Sequence, residues 1–147
     1  MTTVFSPKDV QAITGITARR IKFYSDANLL SLSEQNPGRG RGREYSRQTI
    51  FELLLIKALD SVGVMLSRIE EIFSSAGPSC SILLDLSTYE KDDPPGRFIQ
   101  ISENGVQFAG VMDRGFLKGT DTLTLDMSTL SSVIVVNMTN LARKVPE

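Results

Sequence analysis

Thr14-Gly15-Ile16-Thr17-Ala18-Arg19-Arg20-Ile21-Lys22-Phe23-Tyr24, closed by Leu29-Leu30, is the stretch on which the fold turns. Gly15 supplies a sharp turn, and the Thr17 hydroxyl can accept a backbone N–H at the start of a new helix. The helix predicted from Thr17 to about Asp26 sets Ile21 and Tyr24 three apart on one side and gathers Arg19, Arg20 and Lys22 around its first turns. One face packs and the other is basic. Upstream, Ser6-Pro7-Lys8-Asp9 reads as an earlier helix start: Ser6 is an N-cap, Pro7 is preset for the first helical position, and Asp9 suits the positive end of the dipole. Val10 and Ile13 give that helix its apolar side. The result is helix, turn, helix within about twenty residues.

Downstream, Leu29, Leu30 and Leu32 return the chain to the core before Ser33-Glu34-Gln35-Asn36-Pro37-Gly38, which cannot stay helical. Gly38 to Arg43 then alternates glycine with arginine, so a β-like backbone places Arg39, Arg41 and Arg43 on one side, as suits a wing lying along a phosphate backbone. Ser46 caps a third helix to about Ser61, with Ile50, Leu53, Leu54 and Lys57 at helical spacing and Phe51, Leu55, Ile56 and Leu59 thickening the stripe. Gly63 ends it. Leu66, Ile69, Ile72 and Phe73 mark a fourth amphipathic helix that stops at Ala76-Gly77-Pro78, the expected domain boundary.

Thr14 to Tyr24 with Leu29-Leu30 resembles the recognition-helix motif of the MerR family of transcription regulators. Arg43-Glu44-Tyr45 resembles that family's wing end, and Val62-Gly63 through Ile69 its turn before the fourth helix. The likeness covers about 75 residues, half of the chain. It implies a winged helix-turn-helix that binds double-stranded DNA, with Lys22 on the motif's arginine, Phe23 and Tyr24 on its aromatic pair, and Arg43 and Tyr45 as the wing residues that clamp the backbone. Departures are Arg20 where threonine is usual, Asn28 where glycine is usual, and Met65 where a capping serine is common.

The second half has a different grain. Arg97 to Ser102 alternates, Glu103-Asn104-Gly105 is a hairpin-like turn, and Val106 to Val111 alternates again. Thr122 to Met127 and Val133 to Val136 add strand patterns, and Asn137 or Thr139 can cap a last short helix through Lys144. Ser81 to Tyr89 fits helix or strand and is read here as helix. The predicted class is α+β: a four-helix MerR-like winged helix-turn-helix over residues 1–77, then a small β-rich module with a short C-terminal helix over 78–147. No heptad stretch resembles the long dimer helix usual in the family, and Pro94-Pro95-Gly96 interrupts the chain where one would run.

Charge supports this division. The net −1 conceals a first half with ten Lys/Arg against eight Asp/Glu and a second with six against nine. Thr17 to Arg47 alone holds seven basic and three acidic residues, and charges act locally over about 8 Å in physiological salt. With no histidine and one cysteine, Cys80, an internal disulfide framework, the usual zinc sites and His-based triads are excluded. The aspartates at 92, 93, 113, 121 and 126 lack calcium-loop spacing, so neither metal nor cofactor is expected. The run Ile50 to Ile56 is too short to span a bilayer and residues 1–8 do not read as a secretory signal, which predicts a cytoplasmic, nucleoid-associated protein without membrane contact.

The expected function is sequence-specific binding of double-stranded DNA by a homodimer, with no enzymatic activity. Arg19 and Arg20 are the base-contact candidates, and Thr17, Lys22, Phe23, Tyr24, Arg39, Arg41, Arg43 and Tyr45 complete the DNA-facing set. Two alternatives remain open at this point: an architectural or excisionase-like DNA-binding protein, and an adaptor that binds a protein partner through residues 78–147.

Overall fold

The computed structural model describes residues 4–27, 29–30, 44–75, 85–90, 97–102, 105–111, 122–125 and 133–146. Asn28, the wing arginines Arg39, Arg41 and Arg43, the Gly77-Pro78 boundary and Cys80 lie outside the described residues, as do Pro94-Pro95-Gly96 and the aspartates at 92, 93, 113, 121 and 126.

The first helix, α1 (Pro7–Thr14), begins on a closed capping box: the Ser6 side chain accepts from the Asp9 backbone N–H, and the Asp9 carboxylate accepts from the Ser6 backbone N–H at 3.1 Å. It ends on Gly15, left-handed at φ +71°. Thr17 then caps α2 (Ala18–Asp26) by accepting from the Arg20 backbone N–H, and Ser46 caps α3 (Arg47–Ser61) in the same manner through Thr49. Gly63, at φ +86°, follows α3 and leads to α4 (Leu66–Ser75). One element was not anticipated: β1 (Val4–Phe5) pairs antiparallel with β2 (Tyr45–Ser46), tying the chain's start to the strand that enters α3.

Met65, immediately before α4, is 72 % exposed and offers its carbonyl to the Arg68 and Ile69 N–H groups, but its thioether is a poor acceptor for the first amides of the helix. Met65→Ser is therefore expected to stabilise the protein by about 0.5–1 kcal/mol, read as a raised urea midpoint with unchanged slope.

In the second half, α5 (Ser87–Glu90) is a single turn; of the ambiguous 81–89 segment, residues 81–84 lie outside the described residues. A four-stranded antiparallel sheet follows from β3 (Arg97–Ser102), β4 (Gly105–Val111), β5 (Thr122–Leu125) and β6 (Val133–Asn137), in the order β4-β3-β6-β5. β3 coincides with the alternating Arg97 to Ser102 stretch and β4, β5 and β6 fall on the other three strand patterns, with residues 126 and 127 outside the described residues. Asn137 caps α6 (Met138–Arg143) through the Asn140 N–H. The architecture is mixed helix and small sheets.

The core departs from the expectation of a striped α3. Every residue from Thr49 to Ile56 is buried, and Ala58 and Leu59 as well, so these two turns of α3 are covered on all sides rather than on one, while Lys57 and Asp60 nearer its end stay exposed. It packs against α1, β2 and α4, and also against α6. Phe51 meets Tyr89 of α5 at 5.8 Å between ring centroids, Gln48 Oε1 accepts from the Leu86 N–H at 2.7 Å, and Arg47 Nε donates to the Pro146 carbonyl at 2.7 Å. One apolar cluster thus runs from Val10 and Tyr24 through α3 to Tyr89, Ile99, Leu141 and Val145.

Candidate nucleic-acid interface

The two sides of α2 divide cleanly. Ile21, Tyr24 and Ser25 are buried, and the Ser25 hydroxyl is satisfied by the Ile21 carbonyl at 2.9 Å. Arg19, Lys22, Phe23 and Asp26 are exposed at positions i, i+3, i+4 and i+7, so they form one continuous stripe along the helix. Arg19 and Lys22 have no ion pair among the described residues. Phe23 is 53 % exposed, packed edge-on to Tyr24 with ring centroids 6.1 Å apart. The exposed part of the Phe23 ring leaves apolar area in water, worth about 25 cal/mol per Å² to any surface that covers it.

Arg20 is placed differently from Arg19. Its Nη2 donates to Asp60 of α3 at 3.2 Å, and its guanidinium lies 6.0 Å from the centre of the Tyr24 ring. The Asp60 hydrogen bond, with Tyr24 beside it, holds the guanidinium more firmly protonated than a free arginine. Thr17 is exposed and serves as the N-cap. Tyr24 and Tyr45 are 5 % and 4 % exposed, so whatever either could present to a ligand is confined to a small edge of the ring.

Lys57, read from the sequence as part of an apolar stripe, is in fact exposed, and its Nζ donates to the Thr14 carbonyl at 2.7 Å. This places a cation on the negative end of α1, next to the Gly15 turn. Lys57 and Asp60, three apart on α3, therefore hold both arms of the helix-turn-helix, one at the end of α1 and the other at the start of α2. Nothing in the sequence marks them for this, because each pairing spans about forty residues.

Among the described residues no three His, Cys, Asp or Glu side chains gather to hold a metal ion, and no helix is long and apolar enough to cross a membrane.

Two short helices joined by a left-handed glycine turn, the second carrying an exposed basic stripe, define a helix-turn-helix. Residues 5–76 match the family model described as "MerR HTH family regulatory protein", so the N-terminal half of this chain is a MerR-type helix-turn-helix, the domain of a DNA-binding transcription regulator. No curated protein matches the chain.

Proposed function

We propose that the protein is a sequence-specific regulator of transcription that binds double-stranded DNA as a homodimer, inserting α2 into the major groove and laying the Arg39, Arg41 and Arg43 wing along the backbone. The observation that carries this reading is the Arg19, Lys22 and Phe23 stripe, exposed on the second helix of a helix-turn-helix while the opposite face of that helix is buried. Arg19 reads a base edge, Lys22 neutralises a phosphate, and the Phe23 ring, which has no donor, packs on sugar or a thymine methyl. Tyr24 and Tyr45 act chiefly by fixing α2 on α3 and the strand that leads out of the wing. Residues 1–77 supply the DNA contacts and residues 78–147 the dimer contacts; one head with this few cations binds weakly at physiological salt, and two linked heads gain effective concentration. No group in the set performs catalysis.

The test is a fluorescence-anisotropy titration against the gene's own upstream DNA and a scrambled duplex at two salt concentrations. Arg19→Ala is expected to reduce the preference for the upstream DNA by about tenfold or more, and Lys22→Ala to weaken both duplexes alike while lowering the salt slope by about one. Equal binding to both duplexes by the wild type would favour an architectural role, and no binding at low salt would refute DNA binding.

A further inference from the structure

Resting on the proposed DNA-binding reading, we infer that Asp60 is a specificity-determining positioning residue: it holds the Arg20 guanidinium off the phosphates and aims its free edge at a base. An exposed pair of this kind adds little to stability, since the side chains are 56 % and 48 % exposed and water screens them. A carboxylate beside a DNA-facing helix also repels the phosphate backbone, so for affinity alone it is the wrong charge. Both costs fall away if its task is orientation. Arginine presents five N–H donors in a rigid planar fork. Asp60 engages Nη2, and the Tyr24 ring stands at 6.0 Å, which restrains the guanidinium from a second direction. More than half of the side chain remains exposed, so donors on the remaining edge are available to a paired acceptor such as the O6 and N7 of guanine. Arg19, on the same turn, carries no such restraint among the described residues.

This arrangement predicts opposite signs for two readouts that mere structural damage would move together. The probe is a pool of short duplexes with randomised central positions, enriched by the full-length protein and sequenced, together with anisotropy on one enriched and one scrambled duplex. Asp60→Asn and Arg20→Ala are both expected to flatten the preference at the same base pair, by about tenfold. Asp60→Asn is expected at the same time to bind the scrambled duplex about twofold more tightly, because one negative charge within a Debye length of the DNA is gone. Asp60→Glu, which keeps the charge and the acceptor, is expected to restore most of the preference. The inference is overturned if Asp60→Asn leaves the preferred base pair intact, or if it weakens enriched and scrambled duplexes in parallel. A wild-type protein that enriches no sequence would overturn the proposed function and this inference with it, whereas clear enrichment unaffected by Asp60→Asn would overturn the inference alone.

Discussion

Tyr89→Ala is expected to destabilise the protein by about 3–5 kcal/mol and to unfold the helix-turn-helix together with the sheet. Tyr89 is 1 % exposed, and its ring lies against Phe51, itself fully buried in the middle of α3. Removing the ring opens a cavity on the side of α3 that faces α5 and α6, and a closely packed interior relaxes only partly to fill it. Because α3 is also the helix on which α1 packs and from which Lys57 and Asp60 reach the helix-turn-helix, damage on its far side is transmitted to the DNA-facing side. Hydrogen exchange during urea unfolding is the measurement: amides of α2 and of β3 should lose protection in one cooperative step, at a lower midpoint than in the wild type. If α2 keeps its protection while β3 loses it, residues 1–77 and 78–147 are independent units and the continuous core has no energetic counterpart.

That continuity is where the sequence was hardest to read. The run Ile50 to Ile56 contains no polar interruption except Glu52, a composition that suits a helix covered all round, but a 3.6-residue period alone does not distinguish that from an apolar stripe. By contrast, α1 and α2 were legible almost to the residue, because their signals are local: Ser6, Pro7 and Asp9 at one start, Gly15 at the turn, Thr17 at the next start. The β3–β4 hairpin and β6 were legible for a similar reason, since alternation writes a strand into its own residues. The order β4-β3-β6-β5 was not, because pairing β3 with β6 depends on contacts more than thirty residues apart that leave no local mark. The same holds for the site. The exposed basic stripe could be placed from helical spacing, but the difference between Arg19 and Arg20 comes from Asp60, forty residues away. The partnership of β1 with β2 leaves no sequence signal, because two-residue strands have no period.

Gly15→Ala is expected to cost about 2.5–5 kcal/mol, clearly more than Gly63→Ala, although both glycines have positive φ, +71° and +86°. The backbone strain is similar at the two positions, about 1–2 kcal/mol for an L-residue forced into the left-handed region. The surroundings differ. A Cβ at Gly63 meets nothing within 4 Å, whereas one at Gly15 comes to 2.8 Å from Lys57 Nζ. The lysine side chain is flexible and can swing away cheaply, but in doing so it gives up its hydrogen bond to the Thr14 carbonyl, a charged contact worth about 1.5–3 kcal/mol when made. The excess at Gly15 should therefore belong to Lys57 and not to the backbone. A double-mutant cycle isolates it: with Lys57→Met already in place, Gly15→Ala should cost no more than Gly63→Ala, and the two single changes should add to more than the double. Full additivity would mean that the lysine moves without loss, and that the turn is held by the glycine conformation alone. Coupling would mean that α3 clamps the end of α1, so that the angle at which α2 leaves the turn, and with it the direction of the Arg19 and Lys22 stripe, is set from the core helix and not by the turn itself.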